Sequence, residues 1–340
     1  MIRRKNVGFV ALIGLTLLFS GCSSKKYFEP ENTFSASYAA NSYGANIVDL
    51  SRDGGTLSNG HYLGKSGVNA ISLGEDFRFL NENNRYVLAA NPEGVLKIID
   101  KKTKEPVRAV ALHTPVVSAT IKNGVIAYIL NSNTFGIYLM NQNKKIVENR
   151  SERTFAIDTR AASPMFIENL VVMPMLDGKL IIVNISDVES AKVVYISSEK
   201  AFNNVIHLSR MGNTMVAATP KRLITLGTEG KLEYKANISE VAVDHDRIYL
   251  FTKEGQVLSL SRNLELLGTS KFKFAHFSAG TAFDGKVFAL DQQGSLIVLN
   301  RDLTRYKVYD VGAVDEPAFI TGKKLYKDTE VIDLSKLGYE

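Results

Sequence analysis

Three local signals recur along this chain in one phase, and few folds accommodate that. The first is a tight turn leading into an apolar run. It falls at Asn83-Asn84, Asn123-Gly124, Glu168-Asn169, Gly212-Asn213, Asp246-Arg247, Asp284-Gly285 and Gly322-Lys323, ahead of runs such as VIAYIL, LVVMPML and VFALD. Asn-Gly and Asp-Gly supply the positive φ that two-residue hairpins need. The second signal is an alternating strand (VLKIID, KLIIVN, QVLSLS, SLIVLN). Its copies begin near Val95, Phe135, Lys179, Arg222, Gln256, Ser295 and Glu330, at intervals of 40, 44, 43, 34, 39 and 35 residues. The third is a more polar edge strand, as in VRAVAL, KIVENR, LEYKAN and RYKVYDV.

Each unit therefore reads as four antiparallel strands in about 40 residues, the length of one propeller blade. Blades stack face to face, so their inner strands are buried on both sides, which accounts for runs such as LIIV where strict alternation fails. A β-sandwich does not repeat one four-strand phrase seven times. The expectation is an all-β protein, a β-propeller of four-stranded antiparallel blades over residues 46–340. Seven blades are favoured, with eight as the alternative because residues 46–50 read as one further strand. The last unit ends without an outer strand. Residues 68–74 (VNAISLG) have edge-strand character and precede the first inner strand at 76–80. Pairing 68–74 with the last blade would close the ring and remove its open seam.

The first residues are built differently. Arg3, Arg4 and Lys5 precede an apolar stretch from Val7 to Phe19, and small residues follow up to Cys22, the only cysteine. This is the three-part layout of a secretory signal, and it is shorter than the roughly 20 apolar residues a bilayer span requires. Leu18-Phe19-Ser20-Gly21-Cys22 resembles the lipobox of bacterial lipoproteins, although Phe19 stands where that family prefers Leu. The resemblance implies cleavage after residue 21 and acylation of Cys22. It also implies, with Ser23 next and a Gram-negative host, an outer-membrane, periplasm-facing location. Residues 22–45, rich in Ser, Asn and Ala without a strand or helix period, read as a tether.

Removing residues 1–21 takes away three basic residues and no acidic ones, leaving 38 Lys+Arg against 35 Asp+Glu. So small a net charge without long basic runs gives no reason to expect nucleic acid as a partner. With its one thiol committed to lipid, the mature chain has no disulfide, and stability must come from packing. Hydrophobic residues make up 45% of the chain, enough for such a core.

Catalytic and metal chemistry finds little purchase. The five histidines are scattered, with no pair at metal-ligand spacing. Asp244-His245-Asp246 falls on a predicted hairpin turn, where such residues are ordinary. Leu63-Gly64-Lys65-Ser66 lacks the spacing of a phosphate-binding loop, and no Gly-x-Ser-x-Gly elbow is present. The expectation is a non-enzyme without cofactor or metal.

The phrases DGKVFALDQQGSLIVLN and DRIYLFTKEGQVLSLS look like the repeats of quinoprotein-type propellers. Over residues 65–335 the chain resembles the BamB family, lipoprotein propellers of the outer-membrane β-barrel assembly machinery, in anchor, tether, length and blade phrase. Two departures are visible. That family has eight blades, and quinoprotein repeats end in a tryptophan, which this chain lacks altogether. The resemblance implies a protein-docking scaffold in barrel assembly, and the propeller itself is expected to be monomeric; the quinone chemistry of the related enzymes is not expected, because it needs a tryptophan floor that this chain lacks. The alternatives are a scaffold for a motility or secretion complex or, from another class, a quinoprotein-like enzyme.

Partner contacts are expected on the rim shared by blade-to-blade loops. Two such loops mix basic residues with phenylalanine, at 150–163 (RSERTFAIDTRAAS) and 269–278 (TSKFKFAHFS). Arginine and aromatic residues dominate interface hot spots, so Arg153, Phe155, Arg160, Lys271 and Phe272 are the candidates. Phe274 and Phe277 are equally well read as plugs of the seams between blades.

Overall fold

The structure is a computed structural model and describes residues 26–154, 157 and 160–340. Cys22, the signal segment and Phe155 lie outside the described residues. Eight four-stranded units follow one another around a central channel, so the ring has eight blades and not the favoured seven. The extra one is blade 1, built from Ile47–Leu50, Gly55–Leu57, Tyr62–Gly64 and Gly67–Asn69. Its strands are only three or four residues long, and the intervening SRDGG and SNGH carry no apolar run, which kept this unit below the threshold of the repeat.

Blades 2 to 7 open with the inner strands Arg78–Glu82, Val116–Lys122, Met165–Ile167, His207–Met211, Ile238–Asp244 and Phe277–Phe283, and blade 8 opens with Phe319–Thr321. The outer strands Pro106–Ala111, Lys144–Arg150, Gly230–Lys235, Leu266–Lys271 and Tyr306–Asp310 coincide with the polar phrases expected at the edge. The hairpin turns are also of the expected kind. Asn123 and Gly124 have φ of 51° and 77°, and Asp284 and Gly285 have 51° and 71°.

The last blade does not pair with residues 68–74. Gly67–Asn69 is instead the outer strand of blade 1, and the strand hydrogen-bonded to Glu330–Asp333 is Ala40–Ser42, antiparallel, with Asn41 opposite Val331. Edge character is common to every outer strand, so it could not tell one from another. Just before it, Phe34–Ser35 adds a parallel fifth strand beside Tyr306–Asp310 of blade 7. Among the described residues sheet pairing therefore begins at Phe34, within the stretch expected to be tether.

Among the described residues the buried apolar side chains fall into eight clusters, one per seam, including a cluster of Ile47, Leu57, Leu63, Phe319 and Tyr326 that joins blade 8 to blade 1. Tyrosine and phenylalanine fill the seams. The Tyr62 and Phe79 rings stack at 4.9 Å between blades 1 and 2. The Phe251 ring of blade 6 lies over Gly280 of blade 7, where a Cβ would stand 2.5 Å from it. Close stacking of this kind needs a residue without a side chain.

Candidate binding surface: the rim and the central channel

One rim of the ring is formed by the loops that pass from blade to blade and by the turns between second and third strands. A single hydrogen-bond motif ties these together. The amide that follows an outer strand donates to a turn carbonyl: Leu112 to Gly94 at 2.8 Å, Ile196 to Gly178 at 2.9 Å, Phe272 to Gly255 at 2.8 Å and Val311 to Gly294 at 3.0 Å. Gly94 is required there twice over, by its φ of 80° and because a Cβ would lie 2.3 Å from the Thr114 nitrogen.

On this scaffold the expected rim residues separate. Arg153 and Lys271 are exposed, Arg153 beside Glu152 and Asp177 of blade 4 and Lys271 at the end of blade 6. Phe272 is not a surface residue. With its amide bound to Gly255 its side chain turns inward, 3% exposed, against Phe28, Phe277 and Tyr306 at ring distances of 5.7, 6.4 and 5.0 Å. Phe277 is also buried in this seam, whereas Phe274, with φ of 68°, is exposed between Lys26 and Lys273.

Arg160 points into the channel, which brings it to residues the sequence did not single out. The short inner strand of blade 1 lets residues 51–54 fold across the opening. From there Arg52 grips the carboxylate of Glu240, on blade 6, with both terminal nitrogens. Asp53 accepts from Ser163 Oγ of the blade 3 to blade 4 loop at 2.5 Å. Arg160 Nη2 lies 3.7 Å from Glu240 Oε2, and its guanidinium is 6.0 Å from the centre of the Phe319 ring. Burial alone would raise the Glu240 carboxyl. Arg52, Arg160 and the Val241 amide at 2.9 Å outweigh it and hold the group below the usual carboxylate range. Burial, then the nearby Arg52, push the His207 imidazole down to about 3 against the pull of Glu240, so it is neutral at physiological pH. Its Nε2 is 2.7 Å from Ser209 Oγ.

This charged cluster separates two cavities. One, of about 550 Å³, is lined by the inner strands of blades 2 to 8 and by Arg52, Asp53 and Lys65 from the turns of blade 1, and the other, of about 630 Å³, opens toward Lys253, His276 and Gln292 on the rim; Arg52, Arg160 and Glu240 line both. Further along the first cavity Glu82 accepts from Tyr62 Oη at 2.9 Å, the Lys65 amide at 2.7 Å and Lys101 Nζ at 2.7 Å. A Glu inside the apolar phrase ISEVAVD was the one sequence signal that could have drawn attention to position 240. Among the described residues no group of three or more His, Cys, Asp or Glu side chains is disposed to hold a metal ion.

No family model matches the chain. It is 26% identical over 370 residues to plasminogen-binding protein PgbB of two Helicobacter pylori strains, an alignment that covers 95% of this chain and 68% of each relative. Among solved structures it superposes on BamB from Moraxella catarrhalis with a TM-score of 0.69 at 14% identity, covering 86% of this chain and 98% of that one. The computationally designed Ika8 protein gives a TM-score of 0.60 at 10% identity, again over 86% and 98%. The chain has a BamB-like β-propeller fold.

Proposed function

We propose that this is a non-catalytic envelope lipoprotein, anchored through Cys22, whose propeller is a rigid docking platform for protein partners in outer-membrane β-barrel assembly. The observation that carries the reading is the BamB-like ring joined to a lipobox-like segment in one chain. A fold supports many functions, and the site decides among them. Here each channel carboxylate is taken up by a basic neighbour, Glu240 by Arg52, Asp53 by Lys65 and Glu82 by Lys101, as befits a platform. Lipid anchorage raises the local concentration of the platform beside membrane partners, so each contact can be of modest affinity.

A second reading rests on a different observation, the resemblance along nearly the whole chain to proteins named for binding plasminogen. In it the same platform takes plasminogen as its partner. Affinity purification of the full-length protein from detergent-solubilised membranes, with direct plasminogen titration in parallel, distinguishes the two. Recovery of the barrel-assembly subunit supports assembly. Recovery of motility or secretion components instead, or saturable plasminogen binding without the assembly subunit, overturns it.

A further inference from the structure

Among the described residues lining the channel, basic side chains (Arg52, Lys65, Lys122 and Arg160) outnumber carboxylates (Asp53, Glu82 and Glu240). Two guanidiniums face Glu240, and both oxygens of that carboxylate are taken by Arg52. Asp53 is engaged by Ser163 and by Lys65 at 3.8 Å, and Glu82 by Lys101 and Tyr62. Among the described residues the ion pair of Arg160 is with Glu240, at a distance beyond hydrogen bonding. A lysine in such a place could shed its proton, but an arginine does not. The Arg160 side chain is 21% exposed, and a guanidinium so largely withdrawn from water gains from a second anion. The cavity beside Arg160, at about 550 Å³, is of small-molecule size. It adds Lys122, at the end of the blade 3 inner strand, and the apolar side chains of Met165, Phe166 and Phe319 along its wall.

We infer that the central channel binds a small organic anion, a carboxylate or phosphate whose oxygens sit on Arg160 and whose apolar body lies against Phe319 and Met165. The planar guanidinium fork suits such an oxyanion and pairs with it through charge-assisted hydrogen bonds. This site is distinct from the rim and does not depend on the docking reading.

The test is calorimetric titration of the full-length protein in neutral detergent at low ionic strength, with inorganic phosphate, 3-phenylpropionate and, as a neutral isostere, 3-phenylpropionamide. At least one anion binds, the amide does not, and Arg160→Gln weakens binding by about tenfold or more while Arg160→Lys retains part of it. Which anion binds identifies the class of headgroup. Absence of binding by both anions, equal binding of acid and amide, or an Arg160→Gln titration matching the wild type overturns the site. Should Arg160→Gln fail to fold, wild-type crystals soaked in sodium bromide decide the matter: an anomalous peak beside Arg160 supports the site, and none there overturns it.

Discussion

Glu82 offers the sharpest test of how neighbouring blades are held. It ends the inner strand of blade 2, yet two of its three partners, the Tyr62 hydroxyl and the Lys65 amide, belong to the segment that forms blade 1 and its last turn. The third is Lys101 of its own blade, whose side chain is 21% exposed. Glu82→Ala removes the carboxylate from three donors, one of them the Lys101 ammonium, which keeps only the Asn83 carbonyl at 3.2 Å. Removing one member of a buried pair costs about 3–5 kcal/mol. Partial solvation of Lys101 places this variant near the lower end, about 3 kcal/mol. For a chain of this size that is a fall of about 4 °C in Tm. Glu82→Gln keeps the shape and an acceptor oxygen and loses about 1–2 kcal/mol.

The pH dependence has a definite sign. Burial would raise the Glu82 carboxyl, but Lys101, Tyr62 and the Lys65 amide prevail and lower it from the usual 4.5. The unfolded chain therefore binds the proton more readily, and the contribution of Glu82 is present above about pH 4.5 and fades as pH falls through the lower folded-state value. The chain has 14 tyrosines and no tryptophan, so unfolding is followed by tyrosine fluorescence and far-ultraviolet circular dichroism in urea. A loss below about 1 kcal/mol for Glu82→Ala at pH 7 would refute the reasoning. So would a gap between wild type and Glu82→Gln that stays constant down to acid pH.

Other outcomes follow from the same geometry. Gly280→Ala drives a Cβ to 2.5 Å from the Phe251 ring and destabilises by about 1–3 kcal/mol in the same urea assay, wild-type stability being the contrary result. Phe272→Ala opens the seam beneath Phe28 and Tyr306 at a cost of about 3–5 kcal/mol, whereas Lys271→Ala stays within about 0.5 kcal/mol and acts, if at all, on partner binding measured by pull-down. Deleting residues 34–42 bares the outer edge beside Glu330–Asp333 and promotes self-association on size-exclusion chromatography; a monodisperse monomer of native stability would show the strand to be dispensable. Cys22→Ser releases the propeller from the membrane pellet to the soluble fraction with its fold intact by circular dichroism, and retention in the pellet would argue against lipid anchorage.

The repeat was legible because its turns must use residues that tolerate positive φ, and the chain spells them as Asn123-Gly124 and Asp284-Gly285. Blade 1 was not, since three-residue strands such as Gly55–Leu57 and Tyr62–Gly64 are too short to show a period. The rim loops were located correctly by their place in the repeat, but the direction of each side chain was not. Phe272 and Phe274 are two residues apart, and one backbone hydrogen bond to Gly255 together with a left-handed φ at Phe274 decides which is buried. The channel cluster escaped notice for another reason. Arg52, Arg160 and Glu240 are far apart in sequence and meet only because a ring brings its blades to one axis.

The strand that pairs Asn41 with Val331 has a consequence for how the molecule comes into being. Each blade is stitched from neighbours in sequence and can form as the chain emerges. Ala40–Ser42, by contrast, must wait for Glu330–Asp333. Contacts of such long sequence separation are slow to form, because the loop they close is paid for before they give anything back. Until then the eighth unit has three strands and one raw edge, a species open to pairing with its own kind. A chain cut short before residue 330 never acquires the partner for Ala40–Ser42, so the ring distinguishes finished chains from truncated ones by whether it can shut.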